Sequence, residues 1–287
     1  MNPRACILTP DPADPDYRGR WRDVLARHAS ALEPGGFAVE SRSWVEAGDL
    51  SAFDLVMPLL VWGYPRAHSL WLESVAAWES QGARLQNPPS VLRWNSDKRY
   101  LGALETRGAP VVPTLFAERL TPALMEQAAA SFGTDRLVAK PQVSASAWRT
   151  VRWSPGDPLD DGPEGPAMVQ PYLAEIETEG EISMVYFGGR FSHAISKLPQ
   201  PGDFRVQPEY DGIITAYAPR PDEFAAADRV LEAVDEPLLY ARIDLVRGSE
   251  GAPMLIELEL IEPDLYLGYD AEAGRRFVSA ALEPIRR

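Results

Sequence analysis

The sequence predicts an α/β fold in which an N-terminal lobe with a parallel sheet precedes lobes of mixed α+β structure. Strand and helix patterns alternate over residues 5–81, the order expected for parallel strands joined by crossover helices. Beyond residue 165 the apolar segments come in pairs separated by short glycine-containing breaks, as in antiparallel hairpins. We therefore divide the chain into domains at 1–94, 95–168 and 169–287.

The first domain is predicted to hold parallel strands covered by helices. Apolar runs at 5–9, 37–44 and 53–62 are typical of buried strands, and the third is almost unbroken. Amphipathic spacing predicts helices at 17–32 and 68–81. Three aromatic residues near the strand ends are candidates for a ligand crevice or for core packing: Trp44, Trp62 and Tyr64.

Lysine is rare in this chain and lies at only three positions. Of 28 basic residues the lysines are Lys98, Lys140 and Lys197, and every other basic residue is arginine. We expect the lysines at sites that need a compact point charge, with tolerant surface sites as the alternative. Lys98 is predicted to lie in a helix at 98–104 that is capped by one of residues 95–97.

A strand ending in a lysine is followed by a loop of small residues. After a predicted helix at 122–131, Lys140 ends the apolar strand 136–141, so we expect its stem to be buried and its ammonium to face inward. The loop 142–147 and a return strand at 150–153 then form a flap suited to cover phosphates.

The third domain is organised around an acidic hairpin at 241–263. Side chains alternate along a strand, so Glu257 and Glu259 share one face, and Ile256 shares the other with its leucine neighbours. Folding the hairpin sets Asp244 opposite the acidic face. Three crowded carboxylates repel one another unless a cation lies between them, and hard oxygen donors suit Mg²⁺. The alternative is a solvated antiparallel face.

Further elements complete this domain. A hairpin turn at 188–189 joins two predicted strands, and helices are predicted at 224–234 and 271–282. Three histidines show no metal spacing, and we assign them no chemistry: His28, His68 and His193.

Composition limits the function classes. The chain has 287 residues, of which 45% are hydrophobic and 24% charged, as in globular proteins. It shows no apolar run of the ~20 residues that span a bilayer and no signal-peptide pattern, and its single cysteine, Cys6, excludes an internal disulfide framework. The net charge of −14 disfavours nucleic-acid binding. We expect a cytoplasmic protein without membrane or nucleic-acid partners.

The ordered motifs carry a family resemblance. The P-loop and dinucleotide-binding glycine motifs are absent. Instead the chain contains, in order, Val-Ala-Lys140-Pro, Val-Gln170-Pro-Tyr172-Leu173, Gly-Glu181-Ile-Ser, Ser-Lys197-Leu-Pro with Gly-Asp-Phe-Arg205, Arg-Ile-Asp244 and Ile-Glu257-Leu-Glu259. From residue 87 to 263 this order resembles the ATP-grasp superfamily, in particular its bacterial glutathione synthetase and ribosomal-protein-modifying branch.

The resemblance implies a fold, a cofactor set and roles for residues. It implies a pre-ATP-grasp domain at 1–94, a small lobe with the phosphate flap at 95–168 and a catalytic lobe at 169–287. It implies ATP with two Mg²⁺ ions, or Mn²⁺ in their place. The implied nucleotide contacts are Lys98, Lys140, Ser144, Ser146, Gln170, Tyr172, Leu173 and Glu181. The implied metal ligands are Asp244, Glu257 and Glu259, and the implied catalytic cations near the γ-phosphate are Lys197 and Arg205.

The implied activity is an ATP-dependent carboxylate–amine ligase that forms an acyl phosphate on a small amino-acid-like substrate. Homo-oligomers are common in this family, and the sequence leaves the oligomeric state open. Two alternatives are a non-catalytic ATP-binding protein and a small-molecule phosphotransferase.

Two departures from the family pattern concern the flap and the substrate. The flap has no glycine from 142 to 149, so the hydroxyls of Ser144 and Ser146 are expected to share phosphate binding. The segment Leu-Ile-Glu262-Pro after Glu259 differs from that of the glutathione enzymes, and it resembles the subgroup that includes the D-cycloserine-forming ligases of antibiotic biosynthesis. In that subgroup a ureido amino acid is cyclised. Candidates for binding a substrate amine or carboxylate, or for ordinary structural roles, are Arg42, Tyr210 and Glu262.

Overall fold

The structure is a computed structural model that describes residues 2–17, 19–200 and 212–286. The strands in these residues are β1 Arg4–Thr9, β2 Ala38–Ser43, β3 Leu55–Met57, β4 Leu115–Ala117, β5 Leu137–Pro141, β6 Val151–Trp153, β7 Ala167–Pro171, β8 Glu181–Phe187, β9 Arg190–Leu198, β10 Ile213–Tyr217, β11 Tyr240–Arg247 and β12 Pro253–Glu259. The α-helices are α1 Arg20–Leu32, α2 His68–Ser80, α3 Pro89–Asn95, α4 Tyr100–Thr106, α5 Pro122–Phe132, α6 Pro221–Glu232 and α7 Arg275–Arg286. Each helix within these ranges is too short or too polar to span a bilayer.

The N-terminal lobe is built on a parallel sheet of order β2-β1-β3, as the alternating pattern predicts. The third strand is shorter than predicted and covers only Leu55–Met57. Pro58 has no N–H to continue the strand ladder, and the chain turns there while Leu59, Leu60 and Val61 stay buried. The unbroken apolar run therefore reflects a buried turn as well as a strand.

The segment that joins the first lobe to the second corrects the position of Lys98. A helix containing Lys98 was expected, but α3 and α4 flank it and Lys98 lies in the turn between them. Asp97 closes this turn by accepting a hydrogen bond from the backbone N–H of Arg99 at 2.9 Å. Asn95 does not cap a helix. It ends α3, and its side chain pairs with the backbone of the segment at the end of β12, described below.

The second lobe is an antiparallel sheet of order β4-β7-β5-β6, against which α5 packs. Thr121 caps α5 by accepting a hydrogen bond from the N–H of Leu124 at 3.2 Å. β5 lies between β7 and β6 and delivers Lys140 at its carboxyl end, opposite Met168. The flap loop follows at once and returns as β6, as predicted.

The third lobe is a five-stranded antiparallel sheet of order β10-β9-β8-β11-β12. Asp244 on β11 lies opposite Glu257 on β12 and opposite Ser183 on β8. A bulge between Asp244 and Leu245 inserts one extra residue in β12, so Leu255 rather than Ile256 pairs with Leu245 and enters the core. Strict alternation placed Ile256 on the core face. The bulge instead turns it toward the cavity described below.

Some elements have weak sequence signals. α3, β4 and β10 were not predicted, and α7 begins at Arg275, later than the predicted residue 271. β4 has only three residues, and β10 pairs with a single neighbour, β9. Short edge strands carry little apolar alternation of their own, because their positions depend on the strand beside them.

Candidate active site

A cavity of about 480 Å³ lies where the three lobes meet. The second lobe contributes β5, β7 and the flap to its wall, the third lobe contributes β8, β9, β11 and β12, and α1 of the first lobe closes it. Every site residue predicted within the described part of the chain lines this cavity: Lys98, Lys140, Ser144, Ser146, Gln170, Tyr172, Leu173, Glu181, Lys197, Asp244, Glu257 and Glu259. Arg205 and Tyr210 lie outside the described residues.

Three carboxylates converge at the floor of the cavity. One oxygen from each of Asp244, Glu257 and Glu259 lies within 4.8 Å of the other two. Register explains this convergence: Asp244 and Glu257 face each other across β11 and β12, and Glu259 is the next residue on the same face of β12. Three carboxylate oxygens at this spacing fit a hard divalent cation such as Mg²⁺.

Arg242 also belongs to the acidic cluster. Its guanidinium donates to Asp244 through Nε at 3.0 Å and through Nη2 at 2.9 Å, and Nη2 also contacts Glu259. Sequence reasoning quoted Arg242 within a motif but gave it no role. The available signal was its position two residues before Asp244, which places both side chains on one strand face.

Burial and neighbouring charges together set the pKa of each carboxylate in the cluster. Burial would raise the pKa of Asp244, but Arg242 and Lys197 outweigh it and hold that pKa well below its usual range. For Glu259 burial dominates against the opposing charge of Arg242, and its pKa rises to about 8. The cluster therefore contains one firmly ionised carboxylate beside another that is easily protonated.

Lys98 connects the flap to the acidic floor. Its Nζ lies 2.9 Å from Oε1 of Glu257 and donates to the carbonyl oxygen of Ser144 at 2.8 Å. Burial would raise the pKa of Glu257, but Lys98 and Lys140 lower it below its usual value. The pKa of Lys140 is itself lowered, chiefly by burial. Both lysines thus lie close enough to the carboxylate of Glu257 to lower its pKa.

Lys197 lies deep in the site between two acids. It contacts the carboxylate of Glu181, and its Nζ lies 3.5 Å from Oδ2 of Asp244. Burial opposes its charge, but these two acids raise its pKa above the usual value. Ser183 donates to Oδ1 of Asp244 at 2.6 Å. The side chain of Lys197 is therefore positively charged and held in place.

The flap adopts a backbone that usually needs glycine. Ser146, Ala147 and Arg149 have φ angles of 50°, 54° and 50°, in the left-handed region that non-glycine residues rarely adopt. The hydroxyl of Ser144 donates to the carbonyl oxygen of Pro141 at 3.2 Å. Ser146 lines the cavity next to it. The glycine-free loop thus covers the site in a conformation typical of glycine.

The segment 170–173, which holds three of the implied nucleotide contacts, is fixed by its neighbours on both sides. Gln170 donates from Nε2 to Oγ1 of Thr114 at 2.9 Å, and the backbone N–H of Tyr172 donates to the carbonyl oxygen of Arg136 at 2.8 Å. The guanidinium of Arg136 lies 4.3 Å from the centre of the Tyr172 ring. These contacts fix the strand end at the cavity wall.

The remaining sequence candidates separate into two groups. Trp62, Tyr64 and Glu262 line the cavity. Trp44 is buried in the core and packs edge-on against Trp71 with ring centroids 6.2 Å apart. The guanidinium of Arg42 donates to the carbonyl oxygens of residues 47 and 49, both at 2.9 Å, and so stabilises a loop of the first lobe.

Comparisons with known proteins show the family to which this chain belongs. The chain is 31% identical over 274 residues to the cycloserine biosynthesis protein DcsG of Streptomyces lavendulae, covering 88% of this chain and 90% of that protein. The chain belongs to the DcsG family of ATP-grasp ligases. A family profile described as the N-terminal domain of D-cycloserine synthetase DcsG also matches residues 6–87.

Solved structures agree with this assignment. The crystal structure of D-cycloserine synthetase DcsG superposes with a TM-score of 0.81 at 27% identity, covering 96% of this chain and 98% of that one. The D-alanine–D-alanine ligase of Bacillus anthracis shares the fold with a TM-score of 0.69 at 14% identity, covering 100% of this chain and 98% of that one. The predicted ATP-grasp fold and ligase class are confirmed, and ATP-grasp ligases use ATP with Mg²⁺.

Proposed function

We propose that this ligase activates the carboxylate of an amino acid with ATP and closes a ring by attack of a nitrogen in the same molecule, giving a cycloserine-type product. The observation that carries the proposal is the convergence of three carboxylates with Lys98, Lys140 and Lys197 in one cavity. The relatedness to a cycloserine biosynthesis protein over most of both chains supports the choice of an intramolecular reaction.

The proposed roles follow from charge. Asp244, Glu257 and Glu259 would hold Mg²⁺, which supplies charge neutralisation at the ATP phosphates. Lys98 and Lys140 bind the phosphates beneath the flap. Lys197 and Arg205 stabilise the transferring phosphoryl group.

The rest of the nucleotide is assigned to the opposite wall. Gln170, Tyr172 and Leu173 receive the adenine, Glu181 receives the ribose, and Ser144 and Ser146 share the phosphate contacts of the flap. All of these residues line the cavity.

The proposed reaction has two steps, and a substrate with a ureidooxy group needs a third. A substrate carboxylate oxygen attacks the γ-phosphorus, the bond from that phosphorus to the β-bridging oxygen breaks, and ADP leaves. The nitrogen of a β-aminooxy or ureidooxy group then attacks the acyl carbon and loses a proton, while the carbon–oxygen bond breaks and phosphate leaves. With a ureido nitrogen, water afterwards removes the carbamoyl group as carbon dioxide and ammonia. A closed flap keeps water from the acyl phosphate before ring closure.

Phosphate release from Mg·ATP tests the proposal. We would measure it with O-ureido-D-serine, with O-amino-D-serine and with pairs of simple amino acids, and identify products by mass. Release with one ureidooxy or aminooxy acid alone, together with a ring-closed product, is expected. Glu257→Gln keeps the side-chain shape but removes a charge from the phosphate site, and we expect kcat to fall roughly 100- to 1000-fold.

Other outcomes of this assay contradict the proposal in distinct ways. Release that requires two amino acids would make the enzyme an intermolecular ligase. A phosphorylated product that never closes would make it a phosphotransferase. ATP binding without turnover on any substrate would favour a non-catalytic role, and ADP formation without magnesium would contradict the metal site.

A further inference from the structure

One carboxylate in the cavity has an oxygen without a partner among the residues that the structure describes. Oε2 of Glu262 is fully buried and forms no hydrogen bond within the described part of the chain. By contrast, Asp244, Glu181, Glu257 and Glu259 each contact a lysine or an arginine. A buried polar atom without a partner is destabilising, so such an atom in a binding cavity calls for a ligand that satisfies it.

The surroundings of Glu262 suit a cation. The rings of Tyr17 and Trp62 lie 5.7 Å apart at the cavity wall. Both rings already attract cations, since the guanidinium groups of Arg66 and Arg20 lie 5.1 Å and 5.4 Å from their respective centroids. Burial raises the pKa of Tyr17 and of Tyr64, which also lines the cavity, and the charge of Glu262 adds to both shifts. A carboxylate beside aromatic faces is a combination that binds ammonium groups.

The position of Glu262 relative to the acidic cluster limits which substrates could place an ammonium group beside it. Glu262 lies three residues after Glu259, and burial together with the charge of Glu259 raises the pKa of Glu262 well above its usual value, so this carboxylate needs a cationic partner to stay ionised. In an α-amino acid the nitrogen and the carboxyl carbon are two bonds apart, about 2.5 Å. A substrate whose carboxylate reaches the phosphoryl group near the acidic cluster must therefore place its ammonium close by.

We propose that Glu262, flanked by Tyr17 and Trp62, binds the α-ammonium group of the amino-acid substrate. This assignment rests on the proposed function and deepens it, because it restricts the substrates to carboxylic acids that carry a free amine beside the reacting carboxylate. Glu262 acts in recognition and takes no part in the chemical step. The wall comes from the first and third lobes, so the ammonium site is complete only when those lobes are packed together.

A substrate–variant cycle tests the pairing directly. The variant Glu262→Gln keeps the side-chain shape and removes the negative charge. The substrate pair is O-ureido-D-serine and 3-(ureidooxy)propanoate, which lacks only the α-amine. We expect kcat/KM for the amino acid to fall about 10- to 100-fold in the variant, the range for a charged hydrogen bond, while the slower reaction of the deamino acid changes less than about 3-fold.

Controls separate recognition from general damage. Glu250→Gln removes the same charge from the exposed turn between β11 and β12 and should leave both substrates unaffected. Glu262→Asp keeps the charge and should retain part of the preference for the amine. Equal losses with both substrates, or no loss with either, would overturn the assignment.

A binding measurement keeps the assignment testable if no ureidooxy acid is turned over. Calorimetry with D-serine and with 3-hydroxypropanoate, in the presence of Mg²⁺ and a non-hydrolysable ATP analogue, compares the same amine difference without chemistry. A preference for D-serine that Glu262→Gln abolishes would support the ammonium site even if the proposed reaction failed. No preference in the unmodified protein would reject it.

Discussion

Arg242 neutralises the acidic cluster more directly than any other described residue, because its guanidinium contacts both Asp244 and Glu259. Lys197 adds a second positive charge 3.5 Å from Asp244. Buried ion pairs of this kind contribute little net stability, but removal of one partner leaves the others uncompensated. The free energy of folding is therefore sensitive to Arg242.

The variant Arg242→Met tests this sensitivity. We expect the free energy of unfolding to fall by about 3 kcal/mol, because Asp244 and Glu259 lose their common partner. Added Mg²⁺ should raise the Tm of this variant more than that of the unmodified protein, since the ion binds only the folded cluster. Urea unfolding and thermal scans measure both effects. Arg119→Met, at an exposed position, is the matched control, and an equal loss in the two variants would contradict the argument.

His28 gives a pH-dependent contribution to stability. It is buried in α1 against Phe277, and burial, only partly opposed by Asp264, lowers its pKa from 6.5 to about 4. Between these values the unfolded chain binds more protons than the folded one, so stability rises with pH in this window and is lost as pH falls.

Acid titration of unfolding measures the effect of His28. From pH 7 to pH 4 the His28 contribution should decrease by about 3 kcal/mol. In His28→Gln, which keeps a polar side chain without this titration, the pH dependence should be shallower by that amount. Identical slopes in the variant and the unmodified protein would show that His28 is accessible to protons in the fold.

At the scale of elements, the flap is the segment whose conformation least suits its sequence. Ala147 has a φ of 54° inside a loop without glycine. For residues with a Cβ this conformation costs roughly 1–2 kcal/mol, which glycine avoids. Lys98 offsets part of this cost by holding the loop at the carbonyl oxygen of Ser144.

A pair of glycine variants tests the strain. We expect Ala147→Gly to leave the free energy of unfolding unchanged or to raise it by up to about 1 kcal/mol, because relief of strain offsets the added freedom of the unfolded chain. Ala145→Gly, in the same loop but without a positive φ, should lower it by about 0.5–1 kcal/mol. Denaturant unfolding compares the two, and equal destabilisation would contradict the left-handed assignment.

At the scale of the whole molecule, the side chain of Asn87 joins the first lobe to the five-stranded sheet of the third lobe through hydrogen bonds. Its buried side chain donates to the carbonyl oxygens of Tyr240 at 2.9 Å and Leu260 at 2.8 Å, and it accepts from the N–H of Leu239 at 2.8 Å. These contacts reach the start of β11 and the segment after β12. They therefore help to set the first lobe against the sheet that carries the acidic cluster.

The variant Asn87→Asp should weaken this junction. An aspartate cannot donate to the two carbonyl oxygens and would place a charge among them, so we expect a loss of about 3 kcal/mol or more. The control is Asn2→Asp at an exposed position, where little change is expected. Urea unfolding of both variants gives the comparison. A free energy of unfolding for Asn87→Asp equal to that of the control would mean that the junction does not depend on this side chain.

The sequence alone determined the features that depend on neighbours along the chain. The period-2 pattern of β12 placed Glu257 and Glu259 on one face, the hairpin brought Asp244 opposite them, and the lysine at the end of β5 pointed inward. The other cavity residues, such as Gln170 and Glu181, came from the family resemblance of the ordered motifs, and Lys98 lies in a turn that no local pattern specified. The predicted domain boundaries stay a prediction.

Only the tertiary structure decided the features that depend on distant residues. The bulge that turns Ile256 to the cavity arises from the pairing of β11 with β12, and no local pattern encodes it. The contact of Lys98 with Glu257 depends on lobes packed together from separate parts of the chain. So does the burial of Oε2 of Glu262, which has no hydrogen-bond partner in the described part of the chain. Strand alternation is a local property of the backbone, whereas charge pairing and burial are set by whichever segments the folded core brings into contact.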